Sequence, residues 1–235
     1  MPKEIAELVS RQMRLSETAR KIITESGSPC QSPVITISRT MGSGARVVAE
    51  LLARELGWSF WGKEVIDEIA EDADVSRSLV EDQDEKRVSE FEALARAVIG
   101  DFAMSGFMYE KHLARTVAAI GAKGCAIILG RGAQFLLPDA LHVHIDASFD
   151  HRVANMMKFE SYNRADAEAK LRASDKERQR FVEAMFGKEK VNAFHNDVSI
   201  WMDRMSIEGA AAIIKTALEA HCKHMGGHRN TASRR

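Results

Sequence analysis

Three cysteines in 235 residues, Cys30, Cys125 and Cys222, are too few and too scattered for a disulfide framework or a metal-type pair. That scarcity fits a reducing compartment. No apolar run approaches the length of a membrane span, and the early Glu4, Glu7 and Glu17 argue against a signal or transit peptide. A cytoplasmic protein with no membrane partner is therefore expected. Net charge is missing too: 33 Lys and Arg against 34 Asp and Glu leave a formal charge of -1, so no overall field calls for nucleic acid. A complete phosphate-loop string is also absent. Against G-x-x-x-x-G-K-[ST] only Gly44 fits, with Arg39 at the first glycine, Ala45 at the lysine and Arg46 at the hydroxyl.

What is present around that incomplete string organises the chain. Val34 to Ile37 read as a buried strand, Ser38 to Arg46 as a glycine-containing loop, and Val47, Val48, Leu51, Leu52 and Leu56 as one face of a helix. Strand, tight loop and helix can cradle an anion, because loop N–H groups converge and the helix N-terminus adds positive potential. Gly42 and Gly44 would let an anion reach those amides; the same glycines could also serve only a tight strand-to-helix turn.

Before this block, apolar residues from Ile5 to Ile23 recur at helical spacing, predicting a helix over residues 3–25 that packs on the domain or on a second copy. Pro29 and Pro33 end that appendage. After it come a short strand at 58–61, a helix from Lys63 to Glu71, an acid-rich solvated stretch to Glu90, and helical stripes over Phe91–Phe102 and Tyr109–Ile120, broken near Met104 to Met108. Cys125 to Leu129 form a wholly apolar strand, and Gly130-Arg131-Gly132 follows at its carboxyl end, where open α/β sheets bind ligands. Arg131 could meet an anion there or pair with a nearby acid. Leu141 to Ile145 form the next strand, ending at Asp146. His142 and His144 share a face of it but lack a third metal ligand. Ser148 and Asn163 are the predicted caps of helices starting at Phe149 and after Asn163. The second of these carries Arg172, Lys176, Arg178 and Arg180, with Asp175 spaced to hold Arg178. It reads either as a movable lid bringing cations to a phosphoryl group or as a solvated surface. A strand at 197–200, a last helix from Ser206 and a disordered basic tail from 223 complete the chain.

Taken in order, Ile35-Thr-Ile-Ser-Arg39 with Gly42-Ser-Gly44, Ile128-Leu-Gly-Arg-Gly132, Pro138-Asp139, His144-Ile-Asp-Ala-Ser148, Asp175-Lys-Glu-Arg178 and Ile207-Glu-Gly-Ala-Ala resemble the cytidylate kinase-like family, a branch of the P-loop nucleoside monophosphate kinases. The resemblance spans roughly residues 33–220. It implies an α/β fold of the P-loop NTPase type: a parallel sheet of about five strands with helices on both faces, a helical acceptor-binding insertion at about 62–122 and a lid at about 160–192. On that division residues 1–32 are a helical extension and linker, 33–222 the kinase-like domain and 223–235 the tail.

The implied reaction moves the γ-phosphoryl of ATP to CMP, dCMP or a related small acceptor, with Mg²⁺ as cofactor. By the same resemblance Ser38, Arg39, Thr40, Gly42, Ser43, Gly44, Ala45 and Arg46 hold the donor phosphates, Arg131 the acceptor phosphate, and Arg178, Lys176 and Arg180 are lid cations that join Arg46 in catalysis. Thr40, Ser43 and Asp146 are candidate Mg²⁺ ligands with none assigned, and either Arg46 or Arg39 could replace the missing lysine. Nucleotides are the expected partners, with a homodimer through the N-terminal helix as a further option. The alternative function is a catalytically weak nucleotide-binding regulator on the same fold.

Overall fold

The computed structural model describes residues 3–28, 30–71 and 108–232. The acid-rich stretch, the Phe91–Phe102 stripe and the break near Met104 lie outside the described residues, as does most of the expected acceptor-binding insertion. Five strands, β1 (Val34–Arg39), β2 (Ser59–Trp61), β3 (Ala126–Leu129), β4 (Leu141–Asp146) and β5 (Val198–Trp201), form one sheet in the order β2-β3-β1-β4-β5. Every pairing is parallel. The chain lays β2 and β3 on one side of β1 and β4 and β5 on the other. A crevice therefore opens beyond the carboxyl ends of β1 and β3, the place where such sheets bind ligands.

Strand alternation sends neighbouring residues to opposite faces, and two cores follow from it. Ile35, Ile37, Ile127, Leu129, Val143 and Ile145 pack beneath α2 (Ala45–Leu56) and the last helix, here α9 (Ile207–Ala232). Ala126 and Ile128 face the other way, against α3 (Lys63–Glu71), α4 (Met108–Lys123) and α5 (Ala133–Leu136). Val48 and Leu52 of α2 are fully buried, each contributing about 1.5–3 kcal/mol. On this second face β1 and β4 are joined by polar pairs: the Thr36 hydroxyl lies 2.8 Å from His142 Nδ1, and Ser38 Oγ lies 2.8 Å from His144 Nδ1.

Helix α1 (Lys3–Glu25) lies over the edge strand of its own domain. Gln12 Oε1 accepts the Phe60 N–H at 2.9 Å, Ser16 Oγ meets Ser59 Oγ at 2.7 Å, and Lys123 pairs with Glu17. An edge strand that would otherwise offer its backbone to another chain is thus covered from within. Two helices, α6 (Phe149–Phe159) and α7 (Arg164–Phe186), begin at the predicted caps: Ser148 accepts from the His151 N–H and Asn163 from the Asp166 N–H. Short α8 (Lys188–Ala193) follows.

One expectation needs correction. Residues 223–232 are not a disordered tail, because α9 continues to Ala232; once a helix is nucleated, each added residue gains a hydrogen bond. The cysteines form no disulfide, as expected, but though far apart along the chain they meet in space: Cys125 and Cys222 are buried in one core with Cys30 against it. A hydrogen bond with Cys30, then burial, raises the Cys222 thiol, and burial pushes Cys125 up to about 12.

Burial also lowers the pKa of His142, against a weaker pull from Asp197. The unfolded chain then binds more protons than the folded one as the pH drops below the usual 6.5, so this stabilisation is full above that value and is lost on acidification. Thermal melts between about pH 8 and about pH 5 should fall less steeply for His142→Gln than for the parent; identical slopes would remove His142 as the cause.

Candidate active site

Beyond the carboxyl ends of β1 and β3 lies a cavity of about 860 Å³. The loop after β1 lines one side of it. Gly42 and Gly44 both take left-handed φ values, 79° and 82°, so the chain reverses there and enters α2. Gly42 has a second reason to be glycine, since a Cβ would lie 3.0 Å from the Arg152 carbonyl oxygen. Close packing against α6, rather than room for an anion, is what the structure shows at that position. Gly44 caps α2 without any side-chain hydrogen bond. The first N–H groups of α2 have no intrahelical acceptor and face an unneutralised helix N-terminus.

The loop is held from behind by α6. Asn155 Nδ2 donates to the Gly42 carbonyl at 2.8 Å, and Arg152 Nη1 reaches the Met41 carbonyl at 3.4 Å. Arg152, only 6% exposed, also donates to both carboxylate oxygens of Asp175, at 3.0 and 2.8 Å. Asp175 was expected to hold Arg178, and that contact exists at 3.5 Å; its main partner, however, is Arg152. Helix α7 is anchored at both ends. Ala167 and Leu171 pack with Val153 and Met156 of α6, and Phe186 stacks on Phe135 at 4.6 Å. The sequence left a movable lid and a solvated surface as alternatives for this helix; in the structure these apolar contacts join both of its ends to the domain.

Cations gather at the cavity. Arg39, Arg46, Lys63, Arg131 and Arg178 all line it. Arg131 sits at φ 55° between Gly130 and Gly132, which are also left-handed, a conformation that costs a non-glycine residue about 1–2 kcal/mol. Of the two alternatives for Arg131, the pairing with an acid is seen. The arginine lines the cavity and pairs with Asp67, whose other oxygen accepts the Tyr109 hydroxyl at 2.8 Å, while its Nε is buried without a partner among the described residues. Phe181 lies under its guanidinium at 4.9 Å. Burial lowers the pKa of Arg178, with Asp175 acting against it and Arg152 with it. Arg46, 57% exposed in its side chain, is engaged by Glu50 and Glu64 at 2.9 and 3.2 Å. Burial opposes the charge on Glu64, yet its own backbone N–H and the Arg46 and Arg39 guanidiniums hold its carboxyl below the usual range.

The remaining sequence candidates divide. Ser38, Arg39, Thr40, Gly42, Ser43, Gly44, Ala45 and Arg46 all border the cavity. Ala45 is already helical and 2% exposed, so its side chain strains nothing. Ser43 turns its hydroxyl onto the Thr40 carbonyl at 2.8 Å and is 2% exposed. Thr40 donates to Asp146, which also accepts the Ala147 N–H at 2.8 Å. Lys176 and Arg180 are exposed and do not border the cavity. Lys63, Asp67, Arg152 and Asn155 were missed. Only Lys63 carried a legible signal, since it follows Gly62 at the carboxyl end of β2.

A model of the cytidylate kinase-like family matches residues 34–204. No curated protein matches the chain. Among solved structures, an uncharacterized protein from Eubacterium ventriosum superimposes with a TM-score of 0.51 at 20% identity, covering 80% of this chain and 98% of the other. A sugar kinase from Janibacter aligns with a TM-score of 0.40 at 16% identity, covering 80% of this chain and 95% of its own.

Because Arg152 joins the loop, α6 and α7, Arg152→Ala should lower unfolding free energy by about 2–3 kcal/mol; Asp175 is 35% exposed, so the loss falls short of that for a fully buried pair. Urea denaturation checks it, and a loss under about 0.5 kcal/mol would show the contact to be incidental.

Proposed function

The chain belongs to the cytidylate kinase-like family, and from that membership we propose that it is a phosphotransferase, moving the γ-phosphoryl of ATP to CMP, dCMP or a related small acceptor. The observation that carries this reading is the meeting of Arg39, Lys63, Arg131 and Arg178 with a glycine loop and a helix N-terminus in one cavity. Phosphoryl transfer needs little covalent help from protein; it needs positioning and cations where negative charge spreads.

The roles follow from position. The loop amides and the first turn of α2 receive the donor phosphates. Arg131, with Asp67 fixing its guanidinium, receives the acceptor phosphate. Arg178 reaches in from α7 toward the group in transit. The bond from the γ-phosphorus to the β–γ bridging oxygen breaks as one forms to an acceptor phosphate oxygen, giving ADP and a nucleoside diphosphate with no change in oxidation state. Val47, Met202, Met205 and Ile207 form an apolar wall suited to a base.

Mg²⁺ is the cofactor the family implies, and the oxygen donors here fit it. Thr40 and Asp146 adjoin each other beside the loop and offer a hydroxyl and a carboxylate oxygen, the hard donors that Mg²⁺ takes alongside phosphates and waters. When bound, the ion neutralises charge on the phosphate oxygens. Thr40 and Asp146 would hold it.

ADP release from ATP and Mg²⁺, measured across a panel of nucleoside monophosphates that includes CMP and dCMP, tests the proposal. Turnover with one acceptor is expected, and Arg131→Ala should raise the KM for that acceptor far more than the KM for ATP. Equal losses for both substrates would take the acceptor phosphate away from Arg131. No turnover with any acceptor, while ATP still raises the melting temperature, would favour the nucleotide-binding regulator instead.

A further inference from the structure

The lysine of the full phosphate-loop string is absent, and its place is taken by Ala45, a helical residue only 2% exposed. Two arginines, Arg39 and Arg46, lie near enough to the loop to supply the lost charge. They differ in what already holds them. Arg46 is largely exposed and spends its guanidinium on Glu50 and Glu64. Arg39 is half-buried at the end of β1 and makes no ion pair among the described residues.

The Arg39 guanidinium lies directly against Gly130, whose φ of 87° favours glycine: a Cβ there would lie 2.3 Å from Arg39 Nη1. The guanidinium is thereby placed between the donor loop and the Gly130-Arg131-Gly132 turn, bordering the same cavity as both. Its surroundings are electrostatically costly. Burial first, then Arg178, Arg131 and Arg46, oppose its charge, with Glu64 the opposing influence; the balance brings its pKa to about 10, and it stays protonated near neutrality. Like charges held together in a part-buried site are relieved by an anion carrying several charges at once.

We propose that Arg39 replaces the absent loop lysine, reaching from the end of β1 over Gly130 to bind the oligophosphate of the donor. The role assigned to the donor rests on the phosphotransferase reading above; the oligophosphate site itself does not. Arg46, held by two carboxylates at the exposed rim, is the less available of the two arginines.

Thermal melts of the full chain, of Arg39→Met and of Arg39→Lys, each with and without inorganic tripolyphosphate, test the assignment, with ATP turnover alongside. Tripolyphosphate should raise the melting temperature of the parent, leave Arg39→Met unmoved and raise Arg39→Lys in part. Without ligand, Arg39→Met should melt no lower than the parent, since removing the charge relieves repulsion. In turnover, Arg39→Met should lose about 100- to 1,000-fold in kcat, with Arg46→Ala losing far less. Two results would overturn the proposal: an undiminished tripolyphosphate response in Arg39→Met, or no response in the parent. If Arg39→Met alone melts low, Arg39→Lys decides, because a regained response supports a charge role and none refutes it. A parent that responds to tripolyphosphate through Arg39 but turns over no acceptor would sink the kinase reading while leaving this one standing.

Discussion

The contact between Arg152 and Asp175 is the constraint on which the site depends. It joins α6 to α7, and through the Met41 carbonyl it reaches the loop that follows β1. With Asn155 gripping Gly42 one helical turn away, α6 fixes both the loop's backbone and the helix that carries Arg178. A buried guanidinium is costly to desolvate, and a carboxylate that meets this one with two oxygens offsets that cost, although its Nε has no partner among the described residues. The glycine loop and the cationic helix are thus tied together through one pair.

Around that frame the molecule concentrates positive charge against its own stability. Arg39, Arg131 and Arg178 oppose one another across the cavity, and Arg131 adds a strained backbone. Such costs persist where the surroundings over-determine the geometry, and they cluster where a ligand will offset them. Here the surroundings are Asp67, which fixes Arg131, and Gly130, against which Arg39 packs. Glu50 and Glu64 pair with Arg46 at the rim, and Glu64 also supports the charge on Arg39.

Departures from the expected phosphate-loop string acquire a physical account in this setting. Ala45 needs no positive φ, because α2 has already begun there. Arg39, which stands where a first glycine would be, packs its guanidinium against Gly130 in the turn after β3.

Most of the described helices and strands were legible in the sequence, though short α5 and α8 and the last turns of α9 were not. The ends of α1, α3 and α6 fall where apolar period and capping residues put them, and the five strands lie within a residue or two of their apolar runs. These are local properties: a period of 3.6 or 2, a serine or asparagine cap, a glycine or proline stop. Cations at strand ends were legible too, since Arg39 and Arg131 follow apolar strands directly. Their pairing was not. Asp175 lies three residues from Arg178 and so seemed its partner, yet it binds Arg152, 23 residues away; Arg131 finds Asp67 at a separation of 64. Nor could spacing show that Cys30, Cys125 and Cys222 meet in one core. Periodicity is written into neighbouring residues, so the sequence by itself determined the elements and their inward faces. Which charge meets which is settled by strand order and helix packing, and only the tertiary structure decided that Arg46 is ion-paired while Arg39, among the described residues, is not.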